Sequence, residues 1–301
     1  MINKLKYILV LSLAINFNFA QFGKNIVQYD NFEWHFIQTT HFDIYFYSQG
    51  NAHIDLIASH VEGAYDKISN LIGWGLNNRS SIIIYNSHND FQQTNVIDSY
   101  MRESVGGVTE LYKNRMVVPY DGSSSAFKHV IYHELVHVFI NDGMYGGSLK
   151  QIINTGVVFI PLWMNEGLAE YLSSKWETNS DMWVRDLAIN NEQLPQISSL
   201  NGYLAYRGGQ SVWKFITEKW GEEAIAEIFY SIQSLKDLNR GFKAAIGVNI
   251  EELSEQWHKY LKKEYWPDIS IRDDVQDIAR QITDHEKLYN NSWISCDQSI
   301  V

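Results

Sequence analysis

Strand-like hydrophobic patterns interrupted by one helix fill the first part of the chain, and helical patterns alone fill the rest. The segment "HFDIYFY" (His41 to Tyr47) is rich in aromatic and β-branched residues and reads as a strand. Between Ala52 and Leu76, apolar Ile54, Ile57, Ala58, Val61, Tyr65, Ile68 and Leu71 recur at helical spacing until Gly73 and Gly75 stop the helix. "SSIIIYN" (Ser80 to Asn86) predicts a second strand, its isoleucine run implying burial on both faces. "GGVTELYKNRMVVPY" (Gly106 to Tyr120) predicts a hairpin turning near Lys113 and Asn114, and "DGSSS" (Asp121 to Ser125) caps the helix that follows.

That helix contains "YHELVHVF" (Tyr132 to Phe139). The Gly-rich stretch from Asn141 to Gly156 predicts a surface loop, after which "VVFIPLWMNEGLAEYLSS" enters a second helix. From Ser199 to Tyr265 the pattern is helical, with breaks at Gly221 and Gly247. Strands first and helices afterwards predict an α+β domain of two lobes over residues 21–266. Beyond Trp266 and Pro267 the pattern weakens, so residues 267–301 read as a tail or the shortened start of a second domain.

Composition narrows the class. A chain of 301 residues, 45% hydrophobic, can bury a substantial core. Its formal charge of -11 argues against nucleic acid, which needs clustered Lys and Arg. At the N-terminus, Lys4 and Lys6 precede an apolar run from Tyr7 to Ile15 and then Ala20, the pattern of a secretory signal peptide over residues 1–20, with a buried N-terminal helix as the alternative reading. No later stretch approaches the roughly 20 apolar residues of a membrane helix. The mature chain is therefore expected to be soluble and exported: periplasmic, cell-surface or secreted. The one cysteine, Cys296, cannot form an internal disulfide.

On a helix, His133 and His137 lie one turn apart on one face, with Glu134 beside them. Two imidazoles so placed can share one ion, and the neighbouring carboxylate can act as general base on a water. Among 10 histidines in a chain of this length, an accidental match arises about a few per cent of the time. A catalytic zinc takes three protein ligands, so a third ligand decides the matter. Asp142 is one candidate. Farther on, "WMNEGLAEY" supplies Glu166 and Glu170, four positions apart.

"HELVH" followed by "NEGLAEY" resembles the gluzincin metallopeptidases of the peptidase MA superfamily. The resemblance implies a zincin-like fold, Zn2+ held by His133, His137 and Glu166, and Glu134 as general base. The 28 residues between His137 and Glu166 exceed the usual gap, implying an inserted surface loop. Glu170 reads either as a carboxylate that orients a ligating imidazole or as a solvated helix charge. "AYRGGQSVWKFITEKWGEE" is similar to the Y-x-x-G pattern in which a tyrosine donates to the oxyanion; Tyr206 falls on it, with Tyr203 and Tyr171 as competitors. His129, a turn before His133, reads as an exposed residue more than as a partner of the site. "NRMVVPY" resembles the edge strand that aligns a substrate peptide in this superfamily. The G-x-M-E-N motif that holds a free substrate amine is missing, so an endopeptidase acting on peptide or protein is expected. The alternative is a silent peptidase-fold scaffold. "NFEWHFIQTTHFDIYFY" also resembles exported bacterial proteins in which such a module precedes Tol-like β-propeller repeats.

Overall fold

The computed structural model describes residues 26–47, 53–97, 101–111, 113–146, 158–191, 193–273 and 275–280; the expected signal peptide and Cys296 lie outside them. Strand β1 (Trp34–Gln38) pairs antiparallel with β2 (Phe42–Tyr47), in which Phe42, Ile44 and Phe46 are buried at alternate positions. Helix α1 (Ile54–Ile72) then crosses to β3 (Ser80–Tyr85), parallel to β2. A single turn, α2 (His88–Phe91), precedes the hairpin of β4 (Val108–Thr109) and β5 (Met116–Pro119), and β5 joins β3 in parallel. The sheet order is β1-β2-β3-β5-β4. The strand over Trp34–Gln38 was not legible because its side chains are mostly exposed and carry no alternating burial.

Burial of β3 on both faces follows from this order. Ile82 and Ile84 face the main core with α1, while Ile83 packs on a smaller cluster around Tyr85, Phe91 and Val117. The hairpin turns where expected, with Asn114 in the left-handed region at φ 54°. Its side-chain amide donates to the Val138 carbonyl at 2.9 Å, tying the turn to the motif helix. "NRMVVPY" is not the edge: β5 is flanked by β3 and β4, so the free edge belongs to β4.

The motif helix α3 (Ser124–Tyr145) starts at Ser123, whose hydroxyl accepts from the Ala126 amide. It does not end at Asn141 as expected. Asn141 and Asp142 are buried within it, Asp142 accepts two bonds from Asn77 at 2.9 Å, and left-handed Gly146 stops the helix. Glycine at 143 lies within the helix and abuts the Trp74 ring, which leaves no room for a side chain there. The rest of the expected loop, 147–157, lies outside the described residues.

Helices follow in succession: α4 (Leu162–Ser174), α5 (Thr178–Asn190), α6 (Tyr203–Trp220), α7 (Glu223–Leu235), α8 (Leu238–Ile246) and α9 (Ile250–Ile271), with a final turn at Val275–Ile278. The expected breaks hold: Gly221 and Gly247 end α6 and α8 with positive φ. Helix α9 opens with a reciprocal Asn249–Glu252 capping box and continues through Pro267, past residue 266. The fold is thus α+β, a mixed sheet backed by α1 and α3 beside a helical portion, as expected of a compact zincin-like peptidase.

One close contact sets the geometry of the helical portion. Helices α4 and α6 touch at Gly167 and Gly209; a Cβ at 167 would lie 2.3 Å from the Gly209 carbonyl carbon, and one at 209 would lie 2.2 Å from the Trp163 carbonyl oxygen. Buried Trp213 adds a bond from its indole N–H to the Met164 carbonyl at 2.9 Å. Because backbone atoms cannot rotate away, Gly167→Ala is expected to cost about 1–3 kcal/mol. Thermal unfolding should then shift down by several degrees, and an unchanged midpoint would show that the helices can separate freely.

Candidate metal centre

Successive turns of α3 bring the imidazoles of His133 and His137 to one point, their Nε2 atoms 3.2 Å apart. The first half of α4 brings Glu166 to the same point, with Oε2 3.2 Å from His133 Nε2 and 3.3 Å from His137 Nε2. Bonds of roughly 2.0–2.1 Å at tetrahedral angles require donor atoms roughly 3.3–3.4 Å apart. The three separations fit that triangle. Two nitrogens and one oxygen are also a donor set suited to zinc, so the chain's own atoms fit a divalent cation.

Asp142, the other candidate third ligand, is engaged with Asn77 and stands in neither His-and-carboxylate group that could hold a metal among the described residues. The second such group is His129, His133 and Glu170, and it shows what lies behind the first. Glu170 is buried, with Oε1 3.1 Å from His133 Nδ1 and 3.6 Å from His129 Nε2. Its other oxygen accepts from Arg207 Nη1 at 2.8 Å. A carboxylate at Nδ1 keeps the ring's other nitrogen free to ligate. His129 is therefore no exposed bystander: its Nδ1 also meets the Ser174 hydroxyl at 2.8 Å.

Glu134 lies beside these three residues, buried, and its Oε2 accepts from the Thr109 hydroxyl at 2.7 Å. That bond orients the carboxylate from the edge strand β4. Tyr206, in the first turn of α6, stacks on His133 with ring centroids 6.1 Å apart. Both line a cavity of about 440 Å³ with His133, His137 and Glu166, walled by apolar Ile97, Val105 and Val108. Neither competing tyrosine does so: Tyr171 is buried against Thr217 at 2.8 Å, and half-exposed Tyr203 accepts from Arg207 Nε at 3.0 Å.

Charge follows from this packing. Burial alone would lower the His133 pKa, but hydrogen bonds that its ring donates to Glu166 and Glu170, with the Glu134 charge, outweigh it and raise the pKa to about 10. Burial likewise opposes ionisation of Glu166 and Glu170, yet their imidazole partners hold both well below the usual carboxylate range, Arg207 contributing at Glu170. Burial, then the charge of Glu166, pushes the Tyr206 phenol above its ordinary value, so it remains a donor at neutral pH.

Thr109 and Arg207 escaped the sequence reading because each acts through a neighbour and neither falls in a metal motif. Arg207 could have been noticed as the residue next to Tyr206 in "YRGG".

A sequence profile of the Peptidase MA superfamily matches residues 61–263, two-thirds of the chain, and the protein belongs to that superfamily. Membership supports a peptidase-type function, and the superfamily is typically metal-dependent. A search of curated proteins returns no match. No helix among the described residues is long and apolar enough to cross a membrane.

Proton and cation compete for His133 Nε2. Metal-free protein carries the proton at neutral pH, since the folded pKa of about 10 lies above the ordinary 6.5. Adding zinc chloride to metal-free protein in weak buffer near pH 7 should release at least one proton per ion bound, and apparent affinity should rise with pH until about 10. Binding without proton release would mean that the ion displaces no proton from His133.

Proposed function

We propose that the protein is a zinc-dependent peptidase of the gluzincin type, an endopeptidase acting on peptide or protein substrates outside the cytoplasm. The observation that carries this reading is the triangle of His133 Nε2, His137 Nε2 and Glu166 Oε2, matched in size to a tetrahedral cation, with Glu134 beside it in an apolar-walled cavity. A zinc ion held there supplies Lewis acidity, polarising the scissile carbonyl and lowering the pKa of a water toward ~7.

The remaining work falls to the chain itself. Glu134 takes a proton from the attacking water and returns it to the leaving amine; Thr109 keeps its carboxylate aimed into the cavity. Tyr206 donates its phenolic hydrogen to the oxygen on which charge develops, a task suited to a donor that stays protonated. Glu170 holds His133 in the tautomer that leaves Nε2 free for the ion. The apolar wall excludes water and strengthens these electrostatic contacts. Export rests on the signal-peptide pattern of residues 1–20.

Glu134→Gln should retain one zinc per chain and lower kcat on a casein-type substrate by at least about 10²-fold. Cleavage at the parental rate with metal bound would refute the mechanism. Tyr206→Phe removes only a hydroxyl and should lower kcat about 10²-fold with KM nearly unchanged. A rise in KM with kcat intact would place that hydroxyl in ground-state binding instead.

A further inference from the structure

A second cavity exceeds in volume the one at the His133, His137 and Glu166 cluster. A cleft of about 1120 Å³ opens between α1, the first half of α3 and the end of α4. In a chain of formal charge -11 its lining is basic: Lys67, Lys128, Lys175 and Arg207 face it, with His129, against the single carboxylate of Glu177.

Three of these groups have capacity to spare. Lys128 has no carboxylate within 4.0 Å among the described residues, and Lys67 has only the Tyr132 ring, 5.8 Å from its ammonium. Arg207 spends Nε on Tyr203 and Nη1 on Glu170, Ser180 and Gln210, which leaves Nη2 without an acceptor among the described residues. Lys175 and Glu177 are already engaged, with Glu222 at 2.8 Å and Arg207 at 3.6 Å. Leu71, Leu172 and Tyr132 supply apolar surface between the cations.

We infer that this cleft is a binding site for an oxyanion of two negative charges on an apolar or aromatic body, a phosphate ester or a dicarboxylate, held by Lys67, Lys128 and Arg207. Concave walls concentrate the field of these cations, and a planar guanidinium with a free edge matches a phosphate or carboxylate. Arg207 lines the cleft and bonds Glu170, so the site shares one residue with the surroundings of His133. The inference does not depend on hydrolysis.

Isothermal titration of the zinc-loaded full chain with phenyl phosphate and, separately, isophthalate tests it, with sodium chloride at matched ionic strength as the control. At least one probe should bind saturably at one site per chain, and the tighter of the two identifies the source chemistry. The K67Q/K128Q double variant keeps both exposed stems, so folding and zinc content should match the parent while affinity falls at least tenfold. Binding of neither probe, or equal affinity in the double variant, would overturn the assignment; the latter would place the anion at the metal centre instead.

Discussion

Glu166 reaches His133 and His137 because α4 lies against α6 where Gly167 and Gly209 meet without side chains. Glu166 precedes the contact glycine by one position, and Tyr206 stands three before the other, so the same approach distance positions the Glu166 carboxylate and the Tyr206 hydroxyl. The three donor atoms lie within 0.1 Å of one another in spacing, at 3.2, 3.2 and 3.3 Å. An added methyl at the contact would spread the helices and open that triangle. Packing energy alone would tolerate a wider spacing; coordination does not.

Burial of charge is the second constraint. Glu134 and Glu170 are buried, Glu166 is largely covered beside them, and among the described residues Arg207 is the one Lys or Arg bonded directly to any of the three. Buried carboxylates need compensating positive charge. In the metal-free chain His133 supplies it by retaining a proton, which explains the direction of its pKa shift. A divalent cation would do so more completely, while leaving both imidazoles neutral as ligands. The excess of carboxylates around the histidines is thus an independent sign, beyond spacing, that the site suits a cation.

Much of this was legible in the chain. HExxH spacing, the "NEG" segment and the strand-then-helix order led to the α3–α4 pair and the α+β class, since each rests on a local period that tertiary packing reinforced. What the sequence hid was of another kind. Trp34–Gln38 pairs through its backbone while its side chains face outward, so no hydrophobic alternation marks it. Helix α5 buries only Ser180, Val184, Leu187 and Ala188, a stripe too small and polar to stand out. Helix α3 outran its expected end because Asn141 and Asp142, loop-forming residues by type, find buried places and, for Asp142, partners from Asn77. Thr109 and Arg207 work across 25 and 37 positions of sequence, a relation only the fold supplies.

Adjacent residues at the start of α6 face two different tasks. Tyr206 points into the cavity that holds Glu134 and the ligands, whereas Arg207 points behind His133 to Glu170 and onward to the basic cleft. Successive helical residues are about 100° apart, so the two neighbours reach different groups while sharing one placement of α6 against α4. The glycine contact provides that placement. Any rotation of α6 would therefore move the phenol and the guanidinium together, disturbing the stacking on His133 and the bond to Glu170 in the same step.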